Sequence, residues 1–200
     1  REAMDKRDLR QLRSAIATAE WEKVIEASVI EEAKALVPVL ATEALRGAME
    51  RRDLRQLRSA IATAEEEKII VASVIDEARQ QAEALQAALI VAAPAAVTVS
   101  GRVGRLVEYM GTYVKQEEDR AVRGAPLYVK KNARGGQLFL YKYKSGRWMI
   151  TDDDADFETG LGFMVSASKT AALPSEDGRQ FEYDDGEDWV LDPLITVRVE

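Results

Sequence analysis

From Leu9 onward the apolar positions fall three and four residues apart, at Leu9, Leu12, Ile16 and Ala19. That spacing places them on one face of an α-helix. The same spacing returns at Leu54, Leu57, Ile61 and Ala64, because residues 7–20 and 52–65 carry one unchanged string, RDLRQLRSAIATAE, offset by 45 positions. Asp8 and Asp53 each open a copy and are followed three residues later by Gln11 and Gln56. This is the pattern of a variant capping box, in which a side-chain oxygen accepts from the unpaired N–H groups of a first helical turn.

After Glu20 the copies diverge but keep an apolar rhythm, Ile25, Val29, Ala33 and Leu36 in one and Ile70, Val74, Ala78 and Leu85 in the other. A second helix is therefore predicted in each period. Pro38 suits the first turn of a further helix over about 38–50, so each period is expected to hold two or three helices. Ser28 and Ser73 read either as internal capping boxes or as ordinary helical serines.

Fixed-period self-similarity marks stacked-repeat architectures, because one unit cannot bury its apolar face alone. The apolar stripe reads first as core; the competing reading is a partner-binding groove. Two copies are fewer than the roughly three that usually sustain an array. Further repeats ahead of Arg1, or another surface that caps the array, are expected, and Arg1-Glu2-Ala3-Met4 matches Arg46-Gly47-Ala48-Met49. Core packing alone would have let Arg10, Arg13 and Thr18 drift, so the identity reflects recent duplication or a constraint on the surface. Trp21 is replaced by Glu66 in the second copy. It reads either as a contact residue, since Trp is enriched in binding hot spots, or as inter-helix packing.

The helical pattern stops at Ala93-Pro94-Ala95-Ala96, where β-type residues and frequent breakers take over. The expected organisation is a helical repeat domain over 1–93, a linker at 94–97 and a β domain over 98–200. Short strands are predicted near 97–99, 105–115, 126–131, 137–144, 147–151, 162–167, 179–183, 188–191 and 194–199. The clearest hairpin joins 138–144 to 147–151 across a two-residue turn, Ser145-Gly146. Phe139, Tyr141 and Tyr143 alternate with Leu140, Lys142 and Lys144, which predicts one aromatic face and one mixed face. The fold class expected is α+β in two segregated domains: antiparallel helices, then an all-β antiparallel barrel or sandwich.

Charge and composition narrow the chemistry. Lys plus Arg number 28 and Asp plus Glu 35, a net −7, spread evenly along the chain. Neither half has the basic excess that phosphate-backbone binding needs. The absence of Cys and His removes thiol nucleophiles, disulfides, the usual zinc ligands and the commonest general base near neutral pH. The longest apolar run, residues 87–93, is far shorter than a bilayer span. No transmembrane segment is expected, while peripheral association with a membrane complex stays open.

Asp152, Asp154 and Asp156 have the opening spacing of an EF-hand loop, but Phe157 stands where that loop needs Gly, and Phe163 where it needs Glu. They are weak calcium candidates of another kind, set against a solvated acidic loop. Asp184, Asp185, Glu187 and Asp188 carry the same two readings.

Lys130, Lys131, Arg134, Lys142, Lys144 and Arg147 interleave with Phe139, Tyr141 and Tyr143, a combination that single-stranded nucleic acid uses. The acidic overall balance favours instead a patch facing carboxylates, the chain's own or a partner's, and no nucleic-acid partner is expected. No nucleophile elbow, phosphate-binding loop or dinucleotide fingerprint is present. No enzyme activity and no cofactor are expected.

The series Gly111-x-Tyr113, Gly124-Ala125-Pro126-Leu127-Tyr128, Leu138-Phe139-Leu140-Tyr141, Gly146-Arg147-Trp148-Met149-Ile150 and Asp185-Gly186-x-x-Trp189 resembles a β module of large multidomain proteins of algae and other protists. Helical repeats often stand beside that module, as they do in this chain. The resemblance covers about residues 97–199, implies no activity or catalytic residue, and points to a chloroplast or ciliary assembly without separating them.

The expected function is a non-catalytic structural or linker subunit that contacts other protein subunits of a larger complex. Its candidate contact residues are Trp21, Lys142, Lys144, Arg147 and Trp148. The alternative is a lectin-like or calcium-dependent ligand-binding module that uses the aromatic face and the Asp152–Asp156 loop.

Overall fold

The computed structural model describes residues 8–22, 27–67, 72–104, 106–177 and 181–200. Ile25 and Ile70, and the match between residues 1–4 and 46–49, lie outside the described residues. The chain divides into two compact units, residues 1–85 and 86–200.

The first unit is built from α1 (Leu9–Glu22), α2 (Ala27–Arg51), α3 (Leu54–Glu67) and the first part of α4 (Ala72–Ala92). The two copies start alike. One Asp8 Oδ1 accepts from the backbone N–H groups of Arg10 and Gln11 at 2.9 and 3.0 Å, and one Asp53 Oδ1 accepts from those of Arg55 and Gln56, both at 3.0 Å. Each cap occupies two of the first-turn donors that a helix leaves unpaired.

The repeat extends past the identical string. Lys34 pairs with Glu20 and Glu31 at 2.8 and 3.0 Å. Forty-five residues on, Arg79 pairs with Glu65 and Asp76 at 2.6 and 2.9 Å. The carboxylates hold both cations' pKa above its ordinary value, with the hydrogen bonds that Lys34 donates to Glu20 and Arg79 to Glu65 as the largest causes. These pairs are exposed and add little stability; they show that the period is kept in three dimensions.

Each period holds two helices. The helix expected to begin at Pro38 does not exist as a separate element, because Pro38 sits inside the 25-residue α2. An interior proline removes one N–H and crowds the preceding turn. Here the cost is met by tertiary packing, since Val37, Leu40, Ala41, Leu45 and Ala48 are buried along the same helix. The Thr42 hydroxyl donates to the Pro38 carbonyl at 2.8 Å. The turn to α3 falls instead at Arg52, in the left-handed region at φ 52°, directly before the Asp53 cap. Ser28 and Ser73 lie within the first turns of α2 and α4, exposed.

The helical core is rich in alanine. Leu12, Ala33, Val37 and Leu40 form one cluster, and Leu45, Ala48, Leu57, Ile61, Ala64, Ile75, Ala78 and Ala82 another.

The second unit carries nine antiparallel strands: β1 (Ala96–Ser100), β2 (Gly111–Lys115), β3 (Tyr128–Lys131), β4 (Gln137–Lys142), β5 (Trp148–Thr151), β6 (Met164–Ser166), β7 (Phe181–Asp184), β8 (Trp189–Asp192) and β9 (Thr196–Val199). They form one curled sheet, a half-barrel, in the order β8-β7-β6-β5-β4-β3-β2-β1-β9. Each predicted strand has its counterpart, although residues 107–109 of the long 105–115 prediction form a 3₁₀ turn. Among the described residues β8 pairs only with β7, and β9 only with β1.

The β4–β5 hairpin closes on three turn residues rather than the expected two. Tyr143 N–H bonds the Arg147 carbonyl and Gly146 N–H bonds the Tyr143 carbonyl, so Lys144, Ser145 and Gly146 make a tight turn completed by Gly146 at φ 85°. This is the three-residue hairpin loop that places glycine in the left-handed region. A side chain there would also meet the Lys169 carbonyl oxygen, 2.4 Å from an added Cβ.

Both faces of the central strands are buried, whereas alternation had suggested one aromatic face and one mixed face. Tyr128, Leu140, Ile150 and Met164 stand in one register row across β3–β6 and join Tyr113, Trp148, Phe181 and Ile195 in the larger core. The neighbouring row, Tyr141, Met149 and Val165, packs with Phe139, Val129 and Leu127 in a second cluster on the opposite face. Phe157 covers that second face from the one-turn helix α5 (Asp156–Thr159), 5.4 Å from the Phe139 ring and 4.5 Å from the Tyr141 ring. Helix α4 ends in the same unit, where Lys115 Nζ donates to the carbonyls of Ile90, Val91 and Ala93, each at 3.1 Å. These are carbonyls that a helix C-terminus leaves without partners.

Candidate protein-contact surfaces

The hairpin expected to present basic and aromatic side chains turns most of them inward. Trp148 is wholly buried; its Nε1–H donates to the Ala171 carbonyl at 3.3 Å and its ring lies 6.3 Å from that of Tyr128. Trp148 is therefore a core residue and not a contact residue, because strand alternation puts it on the filled face of the sheet. Lys142 Nζ donates to the same Ala171 carbonyl at 2.7 Å and lies 6.0 Å from the Trp148 ring.

Arg147 donates from Nε to the Ser166 carbonyl and from its guanidinium to Glu182 Oε2, so one basic residue of the patch faces the chain's own carboxylate. Lys144 remains exposed at the turn, its Nζ 5.3 Å from the Tyr143 ring.

The acidic loop holds down the cover of the second core. Asp156 takes the Thr151 hydroxyl at 2.5 Å and the Thr159 hydroxyl at 3.1 Å, while its carbonyl accepts from the Tyr141 hydroxyl at 3.0 Å. Asp153 Oδ1 accepts from Ala155 N–H at 2.9 Å, and the Arg123 guanidinium reaches Glu158 at 2.8 Å. Gly160 closes α5 at φ 77°, where an added Cβ would lie 2.3 Å from the Tyr143 ring.

Asp152 and Asp154 are exposed. Among the described residues no three acidic side chains are grouped to hold a metal ion, because Asp156 is turned into the fold and away from its neighbours. In the second acidic turn, Asp184 and Asp185 accept from the backbone N–H groups of Gly186, Glu187 and Asp188, a local turn geometry that these side chains favour. The aromatic face proposed for ligand stacking is likewise occupied by Phe157.

Burial sets the electrostatics of the sheet. Desolvation raises the hydroxyls of Tyr109 and Tyr128 to about 12, with Asp152 adding to the effect at Tyr109. Desolvation also pushes Tyr113 and Tyr141 upward. Lys130 is lowered by burial; it donates to the carbonyls of Glu108 and Met110. Tyr128 Oη is buried without a hydrogen-bond partner among the described residues.

Beside its charged surface, the fold leaves several large apolar side chains outside. Trp21, at the end of α1, is 89% exposed, so of its two readings the structure shows the outward one. On β8, Trp189 and Leu191 are 43% and 55% exposed and stand on one side of the outermost strand, two residues apart. Neither residue was among the contact candidates read from the sequence. In the helical unit, a groove of about 280 Å³ is bordered by Leu9 of α1, by Ala41, Ala44 and Arg51 of α2 and by Gln56 and Ser59 of α3.

No helix of the described residues is long and apolar enough to cross a membrane. No protein-family model matches the chain, and neither a curated protein nor a solved structure shows significant similarity to it.

Proposed function

We propose that this protein is a non-catalytic structural or linker subunit that binds other proteins of a larger assembly through surfaces on both of its units. The observation that carries this reading is the pair of outward tryptophans, Trp21 on α1 and Trp189 beside Leu191 on β8. Exposed aromatic side chains with apolar neighbours are the residues from which protein contacts draw most of their energy. A strand with an unpaired edge also offers backbone donors and acceptors to an added strand. Support comes as well from the groups that had chemical promise, since Arg147, Trp148 and Asp156 each hold another part of the fold in place.

The test is affinity capture from native extract at moderate salt, with mass spectrometry of the recovered proteins, run in parallel on the parent chain and on Trp21→Ala and Trp189→Ala. A stoichiometric set of partners that is depleted in either variant supports the reading. Recovery of the chain alone, or of proteins indifferent to both substitutions, refutes it.

A further inference from the structure

From Glu182 to Asp192 the chain carries six acidic residues and no Lys or Arg. Two of the six are neutralised within the fold, Glu182 by Arg147 and Asp192 by Arg102, the latter pair at 2.6 Å. The remaining four, Asp184, Asp185, Glu187 and Asp188, stand at the β7–β8 turn. Asp184 Oδ1 accepts from the Gly186 N–H at 2.8 Å, and Asp185 Oδ1 accepts from those of Glu187 and Asp188, both at 2.9 Å. These bonds fix the turn without cancelling its charge. Glu187 and Asp188 are exposed, and among the described residues neither is ion-paired.

The register puts open backbone groups at the same two residues that expose apolar side chains. Asp185 N–H donates to the Asp188 carbonyl at 3.1 Å, while Asp184 N–H turns the other way, to the Phe163 carbonyl at 3.0 Å. Residues of an antiparallel pair alternate between exchanging hydrogen bonds with the opposite residue and pointing away from it. Val190 therefore bonds Tyr183, its partner in β7, whereas the N–H and C=O groups of Trp189 and Leu191 point away from β7. Both side chains are exposed on the outer side of the sheet. The edge strand at the other end of the sheet has a different character, since β9 exposes Arg198 and is followed by Glu200, which accepts from the Thr112 hydroxyl at 2.8 Å.

We infer that β8 receives an extended segment of a partner protein in which lysine or arginine alternates with apolar residues, added to the sheet as a further strand. The backbone groups of Trp189 and Leu191 pair with the incoming strand. Its basic side chains lie on the outer side, with their stems along Trp189 and Leu191 and their charges toward Glu187 and Asp188. The Trp189 ring adds attraction for a cation placed over its face. The alternate, apolar side chains fall on the side of the half-buried Val190. An acidic strand is disfavoured in the same place, because like charges across a strand pair repel. The inference rests on the protein-contact reading, names the chemistry of the partner at β8, and does not involve Trp21.

The experiment titrates a short fluorescently labelled peptide of alternating lysine and valine with the full chain and follows anisotropy at low salt. Saturable binding is expected, weakening as salt is raised. The double variant Glu187→Lys, Asp188→Lys and the single variant Trp189→Ala should each weaken it about tenfold or more. Glu50→Lys, an exposed acidic position of the helical unit, should leave it unchanged. These substitutions replace exposed side chains, and an unaltered urea transition confirms that each variant folds.

Two control peptides separate strand addition from simple charge attraction. One has glutamate in place of lysine; the other keeps lysine and valine but is methylated at alternate backbone nitrogens, so that it cannot pair with an edge. Neither should bind. Absence of saturation, equal binding of either control peptide, or undiminished binding by the double variant would overturn the inference. So would self-association of the chain that Trp189→Ala abolishes, since the edge would then be covered by a second copy. Failure of the peptide while capture still depends on Trp189 removes the basic strand and leaves the broader reading; capture indifferent to both tryptophans removes that reading itself.

Discussion

The helical unit and the β unit solve burial in opposite ways. In the helices, half of the larger cluster is alanine, Ala48, Ala64, Ala78 and Ala82 beside Leu45, Leu57, Ile61 and Ile75. Small side chains bring helices close but remove little apolar area each, so a single period is marginal and stacking must complete it. The β unit fills both faces of its central strands with large residues, Trp148, Tyr113, Tyr128, Tyr141 and Phe181 among them, and covers one face with its own α5. The contrast teaches where exposure lies: among the described residues the central strands are covered on both faces while β8 and β9 each pair on one side only, whereas Ala15 and Thr18 of α1 are exposed where Ala60 and Thr63 of α3 are half-buried.

Alkaline pH breaks the comparison most completely, because all six tyrosines lie beyond residue 108. Below about pH 10 the buried tyrosines are neutral in both folded and unfolded chains. As pH rises toward 12, the unfolded chain releases phenolic protons that the fold retains at Tyr109 and Tyr128, so stability falls with increasing pH. The β unit is expected to unfold across that window, read as loss of near-ultraviolet dichroism, while the far-ultraviolet helix signal persists. Simultaneous loss of both signals would show that the units do not unfold separately.

Trp148→Ala should cost the β unit about 3–5 kcal/mol in urea unfolding and leave the helical transition in place. A cost under about 1 kcal/mol would contradict the burial of the ring.

Within the helices, Leu12→Ala and Leu57→Ala make the same change in identical sequence. Leu57 sits in the larger cluster and Leu12 in the smaller, so the losses expected are about 3–4 and about 2–3 kcal/mol. Equal losses would mean that the neighbouring period adds nothing to α3.

The smallest effect is expected at Tyr128→Phe. It removes a buried hydroxyl without a partner and should be neutral or stabilising by up to about 1 kcal/mol, measured by the same urea transition.

Local chemistry made much of this protein readable in advance. The 45-residue period, the Asp8 and Asp53 caps and the nine strands each follow from rules acting within a few residues: donor pairing in a first helical turn, a 3.6-residue or two-residue apolar rhythm, glycine at positive φ. The candidate contact residues fared differently. Trp21 could be named as the mismatch between copies, and the structure leaves it exposed; Trp148 was named on residue type and turned out to be core. Trp189 and Leu191 were hidden because nothing in a local window tells an edge strand from a central one.

By itself the sequence determined the elements and their order, since caps, turns and periodicity are short-range properties. Only the tertiary structure decided that Pro38 stays inside α2, that Phe157 closes the aromatic face, that Asp156 is an internal acceptor, and that Ala60 and Thr63 are half-buried in α3 where Ala15 and Thr18 of the identical string are exposed in α1. The physical reason is common to all four: burial, and the pairing it enforces, depends on what the rest of the chain brings alongside, and identical residues carry no record of their neighbours.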